Sequence, residues 1–347
     1  MYIKKILSLI VLLTIIGGGI FSYFVYTKIF ESNTSFSEKQ VTVYIPTNAT
    51  FKEVEVLIAP YVKDIQSFSL LAQKKGYHTR VKAGKYILKK ESSNNDLIDN
   101  LRSKNTPIKI RFNNQERLED FAGRISHQIE PDSLSLLKTF KDPQFLKESG
   151  FSTENALSMY IPNTYDFYWN TSAKEFRERM LTYYKKFWNT SRTQKAKEIG
   201  LTPIEVSSLA SIVHKETVKI DERPKVAGVY LNRIKKGMRL QADPTVIYAL
   251  KKNTNDWKQV IKRVLRKDLE VKSPYNTYQN TGIPPGPIFM ADISAIDAVL
   301  NAQKHNYLFF VADPNNFGYH KFSKSLGQHN RYSQTYRNWV NKNKIFR

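Results

Sequence analysis

Glu216 is the residue whose type and placement most directly promise chemistry, because helical spacing sets its carboxyl on an apolar stripe. A carboxyl against apolar surface has its charged form disfavoured, which raises its pKa and makes it a proton donor near neutral pH. The frame that places it is written at Thr202-Pro203-Ile204-Glu205: a threonine N-cap, proline at the first helical position and a glutamate closing a capping box. Counting forward, Leu209, Ile212, Val213 and Glu216 fall on one face, with Ser207, Ser208, Ser211 and Lys215 flanking it. A second reading stays open, in which Glu216 pairs with Arg223 or Arg239 and simply ties two helices together.

The elements around this carboxyl follow in the chain. Asp221-Glu222-Arg223-Pro224 reads as an N-cap and first turn, and Lys225 to Lys236 as an amphipathic helix with Val226, Val229, Tyr230 and Ile234 inward and Gly237 past its end. From Gly237 to Val246 the chain is polar but threaded with Met238, Leu240 and Val246, the pattern of an anchored binding loop. Within it Asp243 either caps a helix begun by Pro244 or pairs with an arginine. Asn276 and Tyr278, after Pro274, suit a turn and packing. The histidines at 78, 127, 214, 305, 320 and 329 show no close pair with metal-ligand spacing, and no nucleophile-elbow motif is present, so neither a metal nor another cofactor is expected.

Several ordered strings resemble one family, the endolytic murein transglycosylases of the YceG-like type. They run from Ala210 to Thr217, then Arg223, Asn232-Arg233, Gly237 to Gln241 and Asp243 to Val246. Ser273 to Tyr278, Gly282 to Ile288, Tyr307 to Ala312, His320-Lys321-Phe322 and His329-Asn330 complete the series. The resemblance implies a membrane-tethered lyase that cuts peptidoglycan glycan strands internally, at the MurNAc–GlcNAc bond, leaves 1,6-anhydroMurNAc ends and terminates nascent strands. It puts Glu216 on the catalytic glutamate, donating a proton to the leaving oxygen and then accepting one from the attacking 6-hydroxyl. Gln241, Asp243, Tyr275, Asn276 and Tyr278 become substrate-binding candidates for N-acetyl and hydroxyl groups, and Arg223 or Arg239 would position Glu216 or stem-peptide carboxylates. Peptidoglycan synthases are the implied partners. Position 214, commonly acidic in these proteins, is His here, and the glycine-rich proline motif upstream is represented only by Arg111 to Glu116. Two rival functions are a muramidase-like hydrolase using Glu216 with Asp243 or Asp221, and a noncatalytic wall-binding scaffold.

Residues Ile6 to Tyr26 form an almost uninterrupted apolar run between Lys5 and Lys28, about the 20 residues that span a bilayer core. A cleavable signal would be shorter and end in small residues, whereas this run ends in Phe21, Tyr23, Phe24 and Tyr26, suited to an interfacial belt. The expectation is an uncleaved single-pass anchor in the plasma membrane, with a cytoplasmic amino terminus and an extracytoplasmic catalytic domain. The absence of cysteine is compatible with export and decides nothing alone. A net charge of +23 calls for an anionic neighbour. The basic residues are spread along the exported portion and no nucleic-acid-binding signature appears, so nucleic acid is not expected; anionic lipid headgroups and acidic wall polymer stay open, the charge either speeding encounter with carboxylate-bearing peptide stems or simply serving solubility.

The fold expected is α+β. Residues 1–5 are read as a cytoplasmic amino terminus, 6–26 as the anchor, 27–40 as a Ser/Asn-rich linker, 41–106 as a small module and 107–347 as the catalytic domain, long enough to hold the main core. In the module, Val41 to Ile45 alternates as a strand, Thr50 caps a helix, Gly84 to Leu88 is a second strand and Asn95 to Leu101 a second helix. The family resemblance makes this region LysM-like, with glycan contact as its implied role. Ile108 to Phe112 followed by Leu118 to Ile125 repeats the strand-turn-helix start.

Overall fold

The computed structural model describes residues 2–343; Met1 and 344–347, at the outer ends of the first and last expected ranges, lie outside the described residues. It is a mixed α+β structure that divides into two compact units. The first runs to Ile110 and takes in His127–Pro131 and Tyr165–Ser172; the second holds the remainder.

The first unit begins with helix α1 (Tyr2–Phe30), 29 residues with no buried side chain, long and apolar enough to cross a membrane. Strand β1 (Gln40–Ile45) follows, and Thr50 starts α2 (Phe51–Ile58) through a capping box with Glu53. Helix α3 (Ile65–Lys74), capped by Asp64, was not apparent from the sequence pattern. Strand β2 (Gly84–Lys89) pairs antiparallel with β1, Val43 opposite Tyr86, and Ser93 caps α4 (Asn94–Ser103). Val54, Ile58, Phe68, Tyr86, Leu97 and Leu101 close one core between the hairpin and the three helices.

The stretch read as a linker is instead stitched to this core. Asn33, 6% exposed, donates to Asn94 Oδ1 at 2.7 Å and to the Asp64 carbonyl at 2.9 Å, while its own Oδ1 accepts from the Asp64 N–H at 2.9 Å. Lys28, in the last turn of α1, reaches Asp64 at 2.7 Å and holds its carboxyl down to about 2. Composition hid this because the partners of Asn33 lie 31 and 61 positions away.

The division between the units falls within β3 (Ile108–Phe112) and β4 (Asn163–Phe167), at both ends of His127–Pro131 and after Ser172. Between those strands lie α5 (Leu118–Ser126), α6 (Ser133–Phe140) and α7 (Pro143–Glu148), and after them α8 (Ala173–Phe187) and α9 (Thr190–Glu198). Phe121, Phe140, Tyr160 and Phe176 form one aromatic cluster with ring centroids 4.5–6.1 Å apart, so Tyr160 serves the core. Then come α10 (Pro203–Glu216), α11 (Arg223–Lys235), α12 (Asp243–Thr254), α13 (Ile293–Leu300), the antiparallel hairpin β5 (Phe309–Ala312) and β6 (His320–Ser323), and α14 (Leu326–Lys342).

Helix α10 is the axis of the second unit. Its start is the expected capping box of Thr202 and Glu205. The flanking serines, however, are buried along with the apolar stripe: every residue from Val206 to Val213 is inside. Ser207 and Ser208 return their hydroxyls to the carbonyls of Pro203 and Ile204, and Ser211 accepts from the Ile288 N–H at 3.1 Å, so no hydroxyl needs water. Helix α11 packs close because Gly228 has no side chain; a Cβ there would stand 2.5 Å from the Gln303 carbonyl.

Candidate active site

Glu216 is the last residue of α10, where the helix dipole already disfavours negative charge. It sits half-buried in a pocket of about 330 Å³ lined also by Tyr230, Arg233, Leu240, Gln241, Asp243, Tyr278, Phe309, Phe310, Leu326 and His329. The buried Tyr230 hydroxyl donates to Glu216 Oε1 at 2.7 Å and fixes the carboxyl's orientation. Loss of solvent pushes Glu216 up to about 7; the Tyr230 hydrogen bond opposes that rise, Asp243 adds to it, and His320 and Arg233 oppose it. The surface is thus open enough for a ligand to reach the acid, yet too poor in water to ionise it readily.

Three segments build the walls. Helix α11 supplies Tyr230 and Arg233; Arg233, 7% exposed, donates to the carbonyls of Leu308 at 2.7 Å and Leu240 at 2.6 Å and so clamps the loop before α12 to the start of the β5–β6 hairpin. The loop itself turns at Gln241, whose φ of 51° is in the left-handed region, and its N–H donates to the Thr277 carbonyl. Thr277 Oγ1 accepts from the Ala242 N–H at 3.0 Å, which sets the 241–243 and 276–278 segments side by side. Phe309 and Phe310 give the pocket an aromatic wall, with His329 stacked on Phe309 at 5.3 Å.

Asp243 neither caps a helix nor meets an arginine. It occupies the first position of α12, Ala242 is the N-cap, and the Asp243 carboxylate accepts from the Tyr278 hydroxyl at 2.6 Å inside the pocket. Glu222 makes no cap either: its carboxylate accepts from the His320 N–H at 2.7 Å and faces His320 Nδ1 at 2.8 Å.

Of the residues singled out in the sequence, the pocket brings together Glu216, Gln241, Asp243 and Tyr278. Arg223 is committed elsewhere, to Asp292 at 2.9 and 3.0 Å and to Ser294. Its guanidinium makes no ion pair with Glu216. Arg239 is exposed and does not line the pocket. Tyr275 is buried with its hydroxyl on the Glu154 carbonyl at 3.3 Å, and Asn276 is buried with its amide on the carbonyls of Leu269 and Val271. His214 belongs to the Asp292 group, its Nδ1 3.3 Å from Oδ2. Tyr230, read only as an inward apolar position, is the residue sequence reasoning missed; Arg233, Phe309, Phe310 and His329 stood inside the recognised strings without a role.

A protonatable glutamate at the end of a buried helix, gripped by a phenol and sharing its pocket with a second carboxylate and an aromatic wall, is an arrangement suited to acid–base chemistry. The model of the YceG-like family matches residues 43–335, and the chain belongs to that family. It is 30% identical over 342 residues to the endolytic murein transglycosylase of Bacillus subtilis (strain 168), covering 93% of this chain and 91% of that one. It is 28% identical over 347 residues to the endolytic murein transglycosylase of Streptococcus pneumoniae serotype 2, covering 89% of this chain but 61% of that longer protein. A crystal structure of a yceG-like protein from Listeria monocytogenes superposes with a TM-score of 0.56 at 28% identity, over 85% of this chain and 99% of that one.

Proposed function

We propose that this protein is a membrane-anchored endolytic lytic transglycosylase that cuts peptidoglycan glycan strands. The observation that carries the reading is Glu216: its carboxyl is pushed up to about 7 by loss of solvent and is held at 2.7 Å by Tyr230. Names of the relatives support the substrate class.

In this mechanism the Glu216 carboxyl gives its proton to the glycosidic oxygen as the bond from the muramyl anomeric carbon to that oxygen breaks. The muramyl 6-hydroxyl attacks the anomeric carbon and passes its proton to the Glu216 carboxylate, closing the 1,6-anhydro ring and restoring the acid. One carboxyl therefore serves both half-steps, and no water is consumed. Asp243, held by Tyr278 in the same pocket, is the second carboxylate available to steady the cation-like anomeric carbon. Gln241 and Tyr278 are the polar groups available to N-acetyl and hydroxyl groups; Tyr275 and Asn276 act one layer back, by holding the segment that carries Tyr278.

In the same reading α1 spans the plasma membrane with its lysine-bearing amino terminus in the cytoplasm, the unit after it faces the wall, and the cut ends the growth of nascent strands beside a synthase. Residues 41–106 run strand-helix-helix-strand followed by a third helix, and the first four of these elements are the support for reading a LysM-like module there, with 107–347 read as the catalytic domain.

The test is digestion of purified peptidoglycan by the full-length chain and by Glu216→Gln, with mass spectrometry of the new glycan ends. Anhydro ends from wild type alone support the proposal. The second carboxylate in the pocket makes hydrolysis the competing outcome, and reducing ends that carry solvent oxygen would overturn the transglycosylase reading.

A further inference from the structure

The segments that build the pocket continue beyond it. Helix α10 delivers Glu216 and runs directly into the loop Thr217–Glu222; the β5–β6 hairpin gives Phe309 and Phe310 to the pocket at its base and turns over at Asp313–Tyr319. Loop and hairpin tip are pinned to one another. The Tyr319 hydroxyl donates to Asp221 at 3.0 Å, Lys219 Nζ lies 4.9 Å from the Tyr319 ring centroid, and the buried Glu222 carboxylate receives the His320 N–H at 2.7 Å. A pinned surface of this kind has little need of further packing, yet it displays large apolar side chains. Phe317 is 89% exposed, Val218 81% and Ile220 63%. Single exposed apolar residues are ordinary, whereas three on two joined segments next to a candidate catalytic acid mark a contact surface.

We propose that this rim is a glycan subsite: sugars flanking the cleaved bond lay the apolar face of a pyranose ring on Phe317 and pack their N-acetyl methyls against Val218 and Ile220. The inference rests on the reading that the chain cuts within strands, since an internal cut requires the strand to continue past Glu216. Continuity favours this occupant, because Val218 is two residues from Glu216 and the hairpin that carries Phe317 also walls the pocket. Lys219, at 4.9 Å over Tyr319, places a cation on the same rim, the charge expected beside the carboxylates of stem peptides.

The test uses the full-length chain in detergent, in the Glu216→Gln background so that binding is measured without cleavage. Long and tetrasaccharide-length glycan fractions are titrated against Phe317→Ala and, separately, Ile220→Ser. The dissociation constant for long strands is expected to rise about three- to tenfold with Phe317→Ala, the range of one aromatic contact, with the short fraction unaffected. Unchanged affinity for long strands overturns the subsite. So does an equal loss on both fractions. A change of oligomeric state by light scattering with unchanged glycan affinity would assign the patch to a second copy and also overturns it. If active wild type makes no anhydro ends, the proposed chemistry fails, while the binding comparison still decides the rim on its own.

Discussion

Two carboxylates flank the end of α10 in the second unit, and they are set up in opposite ways. Asp292 caps α13, accepting from the Ala295 N–H at 2.7 Å, from Ser294 at 2.8 Å and from the Arg223 guanidinium at 2.9 Å, with His214 Nδ1 3.3 Å away. Burial works to raise its pKa, but His214 and the donors from Ala295 and Ser294 hold it well below the usual carboxylate range. Glu216 loses solvent more completely; the Tyr230 hydrogen bond, His320 and Arg233 offset that loss only in part, Asp243 adds to it, and the carboxyl is pushed up to about 7. What separates them is the depth of desolvation and the number of hydrogen-bond donors turned on each carboxylate. Arg223 is spent on the Asp292 cap, while Arg233 in the pocket wall turns its donors to the Leu308 and Leu240 carbonyls and makes no hydrogen bond to Glu216.

The contrast breaks most sharply at Glu216 itself. Glu216→Gln keeps the side-chain volume and the Tyr230 contact but has no proton to give, and cleavage of purified strands, counted as anhydro ends, should fall by about a thousandfold or more. The same count for Asp292→Asn should fall only with the fraction of folded protein.

On the other side of the contrast, Arg223→Met removes the guanidinium that donates to the Asp292 carboxylate at 2.9 and 3.0 Å. Arg223 is 4% exposed, so the loss should cost about 2–4 kcal/mol in denaturant unfolding at neutral pH. Asp292 has a depressed folded pKa, so its contribution is present above the unfolded value and lost as pH falls through the folded one. The gap between wild type and Arg223→Met should therefore narrow in acid. A constant gap would mean that packing, not charge, carries the effect.

Glu216 predicts the reverse slope. Its folded pKa is raised above 4.5, so the stability it allows is complete below the unfolded value and lost as pH rises through about 7. Glu216→Gln should unfold like wild type near pH 4 and be more stable by up to about 3 kcal/mol above pH 8. A variant that is inactive and yet more stable in alkali separates a catalytic acid from a structural ion pair, which would lose stability on the same change.

The local half of this arrangement was written in the sequence and the long-range half was not. Thr202, Pro203 and Glu205 fix the frame of α10, and counting from them turns Glu216 inward, because capping and periodicity act within one helix. The same signals found the strands and two helices of the small module. They failed wherever the deciding partner was distant. Asp243 meets Tyr278 across 35 positions, Arg223 meets Asp292 across 69 and Asn33 meets Asn94 across 61. Ser207, Ser208 and Ser211 misled for a related reason: each satisfies its hydroxyl on nearby backbone, so a polar residue could be buried without a visible partner. Tyr230 carried the look of a core aromatic, and it is one, apart from the single oxygen that touches Glu216.

The finest resolution of the contrast lies in two substitutions that should move one titration in opposite directions. If cleavage needs protonated Glu216, the rate falls as pH rises through about 7. The Tyr230 hydrogen bond favours the ionised carboxylate and Asp243 disfavours it. Tyr230→Phe should therefore carry the alkaline limb of the rate profile to higher pH, and Asp243→Asn should carry it to lower pH. Initial rates across the pH range, normalised to each variant's maximum, isolate this shift from any loss of orientation or transition-state charge. Limbs that move together would place the titrating group elsewhere than Glu216, and limbs that do not move would mean that a step other than proton donation sets the rate.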